Sequence, residues 1–524
     1  MYIRIIESTM ASSPEKPVST GEPTHTGGFA KTTKFRWLAV GLAVFAVIAF
    51  LLPTPASMTA KAEALFGDLD PVAIAIKATH MRIIIALLGA CIVFFATETV
   101  PLPAVALIIG LVQLFFGITP PTKIVSTYAH DAVWFIAGSL AIGSTLVKYN
   151  LDKRIGMLVV NLSGTKTRMI VLSIILGTAI ASAFINESST APMFVPIALA
   201  LYALTNKTAT APRLGKLLLI SIALGCMVGT PMSPTGGARN AIMIGFLSNI
   251  GIDMSFVQWI SMGIFYTVVM SVLMAIVLPF IFKPEVDDLS YAVTILRQDL
   301  EKHGKMTAKQ WLVASIMILV VYLWITDKTI TRQLLGFSLG LGGVAITGAV
   351  LYMLLGLTSW RDYEKNVSWG VVILYAGAIS LGAVFKSTGA ASWLADSILA
   401  LVAPLGLNAG IALIFLVVVI GAAMTNLMSA GATVVILGPV VLDMAQNSGT
   451  NPLLVGVALA ISTSMAYWLV VGTPASSIVY SSGELESKDF IRMATVAWPI
   501  ALIVMGIMVT LYWVAVLRIP VFLQ

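Results

Sequence analysis

The sequence predicts an all-α polytopic membrane protein of two inverted-topology repeats, each with a re-entrant hairpin and a broken transmembrane helix, and about 11 transmembrane spans in all. Three observations predict this fold class. Hydrophobic residues make up 58 % of the 524 residues and charged residues only 10 %, which fits no soluble class. Apolar stretches long enough to cross a bilayer follow one another along the chain. Short polar clusters interrupt these stretches at matched places in the two halves.

The matched clusters are Asn186–Pro196 and Ser429–Pro439. In each, a Thr lies six residues before a Pro, and a Gly-Thr-Pro triplet places a second Thr 40 residues after the first, at Thr230 and at Thr473. Polar, irregular backbone at bilayer depth is tolerated only where it is buried in protein or lines a cavity. Paired breaks in two halves therefore point to the binding site of a transporter.

The first half is predicted to begin with a disordered cytoplasmic tail rich in Ser, Thr, Pro and Gly, residues 1–36. Residues 37–282 then hold the first span and repeat 1. Its predicted elements are spans near 37–53, 80–99, 101–118 and 129–147, a re-entrant hairpin at 168–204, a broken span at 217–250 and a full span at 256–282.

A charged cytoplasmic linker, residues 283–310, separates the halves. Repeat 2 and the last span occupy residues 311–517, followed by a short tail at 518–524. The predicted elements are spans near 311–326, 333–357 and 368–386, a re-entrant hairpin at 408–446, a broken span at 452–483 and a last span at 494–517.

Each predicted break has a local cause. The stretch 168–204 is split at Asn186–Ser189 and has Lys and Arg in both flanking loops, which favours a hairpin that enters and leaves on one face. The stretch Gly229–Gly237 contains two Pro and three Gly in nine residues, and a helix cannot continue through it.

Internal register supports the repeat. Phe135–Gly143 matches Leu374–Gly382 at an offset of 239 residues, and from the hairpins onward the offset is 243. We therefore expect the two halves to share one plan.

The distribution of Lys and Arg predicts the orientation. With a cytoplasmic N-terminus and re-entrant hairpins, 22 of the 31 basic residues lie inside and 8 outside, and Arg239 remains within a broken span. Cytoplasmic loops collect basic residues, so this arrangement predicts a multi-pass protein of the plasma or inner membrane. It opens the first hairpin to the inside and the second to the outside, which makes the repeats inverted.

Several function classes are disfavoured. The net charge of +7 is explained by those loops, so no nucleic-acid partner is expected. Cys91, Cys226 and the four scattered His form no metal-ligand or catalytic pattern, and no phosphate-binding loop is present. We therefore predict no enzyme. A channel would more naturally place a ring of selectivity residues among subunits than build two hairpins.

At this point the residues resemble a known family. The paired hairpins, the Gly-Thr-Pro triplets and Glu98-Thr-Val-Pro-Leu-Pro103 are similar, over residues 37–517, to the divalent-anion:sodium symporters, which carry di- and tricarboxylates or sulfate. The resemblance implies alternating access, a lipid-embedded homodimer, and sodium or a proton as coupling ion with no other cofactor.

The resemblance also implies site residues, with departures. Where the family has Ser-Asn-Thr at each hairpin tip, this chain has Asn186-Glu187-Ser188 and Ser429-Ala430-Gly431. The implied cation ligands are Ser182, Asn186, Glu187 and Gly229 for site one and Thr425, Ser429 and Gly472 for site two. The implied anion ligands are Ser188, Gly431, Thr230, Thr473 and Pro474.

Two intramembrane charges carry the remaining hypotheses. Arg239 could bind a substrate carboxylate bidentately, or it could snorkel or pair with a local carboxylate. Glu187 adds a charge to site one, so we expect that site to dominate coupling; a fixed Glu187–Arg239 ion pair would instead leave an uncoupled exchanger. The sequence thus predicts a cation-coupled symporter of small divalent organic anions, with an anion exchanger of the same fold or a sulfate-type transporter as alternatives.

Overall fold

The computed structural model describes residues 28–207, 209–301 and 305–523, and helices dominate this part of the chain. The first half contains twelve of them. They are α1 (Gly28–Ala46), α2 (Ala56–Phe66), α3 (Pro71–Thr97), α4 (Leu102–Phe115), α5 (Pro121–Tyr128), α6 (Asp131–Lys148), α7 (Leu151–Leu162), α8 (Thr167–Ile185), α9 (Glu187–Asn206), α10 (Pro212–Gly229), α11 (Ala238–Asn249) and α12 (Phe256–Ile281).

The second half contains a further twelve. They are α13 (Ser290–Glu301), α14 (Ala308–Thr326), α15 (Arg332–Leu335), α16 (Gly340–Leu354), α17 (Trp360–Asn366), α18 (Trp369–Thr388), α19 (Ala390–Val402), α20 (Gly410–Met424), α21 (Ala430–Asn447), α22 (Pro452–Ser462), α23 (Pro474–Tyr480) and α24 (Ser487–Ile507). Helical turns continue α1 to Leu51, α14 to Thr331 and α24 to Val516.

The predicted fold class is confirmed, although the membership of the spans differs. In the described residues, 11 helices are long and apolar enough to cross a membrane, or up to 12 when the bent pair Ala390–Leu405 and Gly410–Met424 is counted. These include both helices of the first hairpin. The set omits α4 and α16, which we predicted as spans and which are shorter apolar helices.

The boundary of the predicted tail is wrong. Helix α1 begins at Gly28 rather than near residue 37. The sequence permits the earlier start, since no proline lies between Pro23 and Pro53. Residues 1–27 of the predicted tail lie outside the described residues.

The same order of helices occurs twice. Helices α3 to α12 recur as α14 and α16 to α24, with the short α15 as the only insertion among the described elements. This order includes four short helices that the sequence did not predict. Helix α5 is equivalent to α17, and α7 is equivalent to α19.

Helix packing follows the predicted register. A Cβ built on Gly138 would lie 2.6 Å from the Cβ of Ala345, and one on Gly377 would lie 2.5 Å from the Cβ of Ala106. Gly377 follows Gly138 by 239 residues, and Ala345 follows Ala106 by the same number. The α6–α16 contact of one pair is therefore repeated by α18–α4 in the other, as a two-fold relation between the repeats requires.

We expect Gly138→Ala and Gly377→Ala each to destabilise the protein by about 1–3 kcal/mol, because the added methyl overpacks a helix contact. Both should lower the melting temperature in detergent by similar amounts. Gly143→Ala on α6 is the matched control, since its Cβ would have ordinary contact at 3.7 Å. A melting temperature for Gly138→Ala no lower than that of the control would contradict this packing.

Helices α8 and α9 form a hairpin, called hairpin 1, whose open end lies beside the linker. At the start of α8, the Thr167 N–H donates to the Asp287 carbonyl at 2.9 Å. Beyond the end of α9, the Glu285 carboxylate accepts the Arg213 N–H at 3.0 Å, while Asn206 accepts the Ala211 N–H at 3.1 Å. Both ends of hairpin 1 therefore lie on the same side.

Helices α20 and α21 form hairpin 2. Its open end is joined where the Gly410 N–H donates to the Thr450 hydroxyl at 2.8 Å, and the Asn451 N–H donates to Val521 of the C-terminal segment at 2.7 Å. That the two hairpins open on opposite faces of a membrane stays a prediction.

Candidate functional site

The tip of hairpin 1 is a single residue with an unusual backbone. Asn186 has φ 80° and ψ 147°, a conformation that costs about 1–3 kcal/mol for a non-glycine residue and that clusters at functional sites. Its side chain accepts the Ser188 N–H at 3.4 Å, and its carbonyl accepts the Thr190 hydroxyl at 2.9 Å. The tip is thereby capped, and α9 starts at Glu187.

Hairpin 1 packs tightly against α10. The Ser182 hydroxyl donates to the carbonyls of Cys226 at 3.0 Å and Ala179 at 3.2 Å. A Cβ on Gly229 would lie 2.4 Å from the Ser182 Oγ, so only glycine permits this approach. The structure therefore brings together Ser182 and Gly229, two of the residues predicted for cation site one.

The break between α10 and α11 is held by side chains. The hydroxyls of Ser233 and Thr235 both donate to the Ala183 carbonyl of hairpin 1, the latter at 3.0 Å. The Asn240 amide donates to the carbonyls of Thr230 at 2.8 Å and Ser233 at 2.7 Å. These bonds satisfy backbone that the broken helix leaves unpaired. Sequence reasoning missed Asn240, whose only signal was an amide inside an apolar run.

Arg239 is buried, with 3 % of its surface exposed. As the second residue of α11 it folds back over Gly237, and its guanidinium donates to the Thr230 hydroxyl. Its Nε has no hydrogen-bond partner. Three fully buried tyrosines and Glu187 lie within electrostatic range of its charge: Tyr266, Tyr375 and Tyr467 are the tyrosines.

Glu187 does not pair directly with Arg239. One carboxylate oxygen of Glu187, Oε2, is buried without a hydrogen-bond partner. The two charges interact, yet the described residues contain no direct ion pair between them. Each side chain thus keeps bonding capacity that the protein does not use.

A small cavity adjoins the tip of hairpin 1 and the start of α11. Its walls come from α6, hairpin 1, the break and α18, and its polar lining consists of Ser139, Asn186, Thr235 and Tyr375 with the backbone of Gly237 and Ala238. The hydroxyl of Ser139 has no partner. Because free N–H groups and the positive end of the dipole lie at a helix N-terminus, this cavity favours an anion.

The tip of hairpin 2 joins the unwound segment after α22. The Thr425 hydroxyl donates to the Thr463 carbonyl at 2.9 Å, and Ser429 caps α21 by accepting the Ala432 N–H at 3.3 Å. Asn426 bonds to this segment too, with its amide on the Met465 carbonyl at 3.3 Å. Sequence reasoning missed Asn426, although an amide beside Thr425 in an apolar tip was a usable signal.

The predicted equivalence of the two Gly-Thr-Pro triplets is wrong. Thr230 follows the end of α10, before the break, whereas Thr473 precedes the start of α23, after the break. The structural counterpart of Thr473 is Gly237, since both are extended N-caps with φ −141°, ψ 153° and φ −165°, ψ 154°. The two triplets have the same sequence because Gly and Pro are suited both to the end of the helix before a break and to the start of the helix after it. In this register Ala475 occupies the position of Arg239.

The other predicted anion ligands are placed unevenly. Gly431 lies against Ala238, since a Cβ built on Gly431 would be 3.6 Å from the Cβ of Ala238. Hairpin 2 therefore reaches the start of α11. Ser188 and Pro474 are exposed. Thr473 is buried and bonds locally to Ser476 at 3.1 Å.

Two of the predicted cation ligands of the second site lie against the unwound segment after α22. Gly472 lies against Ala466, whose carbonyl would be 3.1 Å from a built Cβ, while Thr425 contacts Thr463. The described residues contain no group of three His, Cys, Asp or Glu able to hold a metal. A cation here would be bound by hydroxyl, amide and carbonyl oxygens, the ligands that hard cations prefer.

Comparison with known proteins gives a family match over most of the chain. Residues 32–519 match the sodium:sulfate symporter transmembrane region. The sodium-dependent dicarboxylate transporter SdcS of Staphylococcus aureus is 26 % identical over 440 residues, covering 78 % of this chain and 81 % of the relative.

Solved structures resemble the fold. MtrF of Neisseria gonorrhoeae, described with a class of antimetabolite efflux pumps, has a TM-score of 0.53 at 15 % identity and covers 77 % of this chain and 84 % of its own. The YdaH transporter of Alcanivorax borkumensis has a TM-score of 0.53 at 16 % identity, with 77 % and 89 % covered. At such identities the likeness extends to the fold alone.

Proposed function

Because this chain belongs to the sodium:sulfate symporter family, a family of transporters, we propose that it is a secondary active transporter of small divalent organic anions, driven by cation-coupled symport. The resemblance read from the sequence is thereby confirmed. The relative SdcS is a sodium-dependent dicarboxylate transporter by name, which supports dicarboxylates over sulfate as substrates.

A single observation carries the assignment to an anion. Arg239, 3 % exposed and with an unpartnered Nε, lies at the N-terminus of α11 beside the cavity. A buried charge is costly and is kept where it serves a ligand or an ion path. A guanidinium and a helix N-terminus together match a carboxylate, which Arg binds in a bidentate manner. We propose that one substrate carboxylate binds here, with Gly431, Thr230, Ser188, Thr473 and Pro474 as the remaining proposed contacts.

We propose that cation site one couples transport. Glu187 Oε2 and Asn240 Oδ1 are buried acceptors without donors, which supports a cation between hairpin 1 and the break. Ser182, Asn186 and the Gly229 backbone complete the proposed set. Sodium is the coupling ion that the relative's name supports, and a proton on Glu187 is the alternative.

The wider arrangement is also a proposal. Hairpins that open to opposite faces and meet near the bilayer midplane allow alternating access. We propose a homodimer in the plasma or inner membrane with a cytoplasmic N-terminus.

The test is uptake into proteoliposomes. Radiolabelled succinate should accumulate saturably under an inward sodium gradient and show counterflow, and unlabelled malate, citrate, tartrate or sulfate should compete according to fit, with neutral analogues inactive. Sodium-independent exchange would favour the exchanger, and non-saturable conductance would favour a channel. Failure of every anion to bind or move would overturn the proposal.

A further inference from the structure

The Asn426 side chain joins the tip of hairpin 2 to the segment that follows α22. Its amide nitrogen donates to the carbonyls of Ala422 at 2.6 Å and Met465 at 3.3 Å. Its amide oxygen accepts the Trp468 N–H at 3.1 Å. One side chain thus binds both the hairpin and the unwound segment after α22.

A third carbonyl at this junction, that of Thr463, also accepts a hydrogen bond. The Thr463 carbonyl accepts the Thr425 hydroxyl at 2.9 Å. Among described residues with buried side-chain polar atoms that lack a partner, none falls in 425–429 or 463–469. Each buried side-chain polar atom of these two segments therefore already has a hydrogen-bond partner within the protein.

The first tip has the opposite arrangement. At the offset of 243 residues, Asn426 corresponds to Ala183 and Ala430 corresponds to Glu187. Hairpin 1 therefore lacks the bridging amide and carries a carboxylate. The Oε2 of this Glu187, like the Oδ1 of Asn240 in α11, is buried without a donor. Hairpin 2 thus has an amide and no charge at its tip, whereas hairpin 1 has a charge and no bridging amide.

This exchange has a direct electrostatic meaning. A cation bound between a helical hairpin and an unwound segment draws carbonyl and hydroxyl oxygens from both. Amide hydrogens that bond to such carbonyls supply positive partial charge in place of the cation. A cation approaching the same place would then meet hydrogen-bond donors rather than acceptors. The need of each buried carbonyl for a partner is already met.

We propose that the Asn426 amide takes the place of a second coupling cation, so that one cation at the first tip couples each transport cycle. The proposal rests on the cation-coupled function proposed above. It assigns to Asn426 a positioning role, holding hairpin 2 closed independently of cation concentration.

The first experiment uses the wild-type protein. Simultaneous measurement of labelled sodium and labelled succinate entering proteoliposomes should give about one sodium per substrate, with a Hill coefficient for sodium of about one. A ratio and Hill coefficient of about two would overturn the proposal while leaving sodium-coupled dicarboxylate transport intact.

The second experiment compares Asn426→Ala with Asn447→Ala. The control removes an amide at the other end of the same hairpin, where Asn447 bonds to Ser392 at 3.1 Å and Asp396 at 2.6 Å. Opening the Ala422 and Met465 carbonyls should create a cation site. We expect sodium, compared with choline, to raise the melting temperature of Asn426→Ala by about twice the wild-type shift. The shift of Asn447→Ala should equal that of wild type.

The melting experiment does not depend on transport. If Asn426→Ala folds and gains no sodium response beyond that of Asn447→Ala, the surrogate role is wrong even where uptake is sodium-coupled. If no anion is transported but Asn426→Ala gains the response, the proposed function and the coupling role fail together, and only the occupation of a cation site by the Asn426 amide is supported.

Discussion

Replacing Arg239 by Gln should lower the apparent affinity for a dicarboxylate by about 100-fold. Removing one partner of a buried, hydrogen-bonded charge pair costs about 2–5 kcal/mol, and about 1.4 kcal/mol corresponds to each factor of ten. Gln also fits the space of the side chain near Gly237 and retains a donor for the Thr230 hydroxyl, so the fold should persist. Competition of unlabelled succinate with labelled succinate for binding to detergent-solubilised protein measures the loss.

Two further variants sharpen this test. Arg239→Lys keeps the charge but loses the planar donor fork, so its affinity should fall between wild type and Gln. Arg332→Gln is the control, because Arg332 is an exposed residue of α15, and its affinity should match wild type. Equal affinities of wild type and Arg239→Gln in folded protein would show that Arg239 does not bind the substrate.

Much of the fold could be predicted because hydrophobic periodicity and breaks are local properties. The hairpin bounds 168–204 and 408–446 fall within a few residues of the observed helices, since polar tips in apolar runs mark them. The offset of 239 residues predicted that Gly138 and Gly377 are equivalent, and the structure gives them equivalent contacts, with Ala345 and Ala106.

The candidate site was less predictable because equivalence there is geometric. Gly237 and Thr473 share no chemistry, yet both are extended residues that start a half-helix. The identical Gly-Thr-Pro sequences instead aligned Thr230 with Thr473, although Thr230 precedes its break and Thr473 follows its own. Asn426 was missed for a related reason: its role depends on the Met465 carbonyl, which is 39 residues away and exposed as an acceptor only because α22 ends early.

The corrected register reveals an asymmetry of charge between the repeats. Glu187 corresponds to Ala430 at the hairpin tip, and Arg239 corresponds to Ala475 at the start of the half-helix. Both charges of this region therefore belong to repeat 1, opposite in sign and not joined in a direct ion pair. A dianion bound near Arg239 leaves the Glu187 carboxylate uncompensated, and an unpaired buried charge costs several kcal/mol. We therefore expect substrate binding to require a cation at Glu187.

Glu187→Gln should therefore remove the cation dependence of uptake. The substitution keeps the shape of the side chain while abolishing the charge that demands a cation, so accumulation driven by a sodium gradient or by a pH gradient should fall at least about tenfold, whereas exchange of internal for external substrate should continue. Each gradient is imposed separately on proteoliposomes, which also shows whether sodium or the proton is the ion. Glu364→Gln, at an exposed glutamate of α17, is the control and should respond as wild type does. If wild-type uptake ignores both gradients and Glu187→Gln behaves identically, the chain is an exchanger and Glu187 has no coupling role.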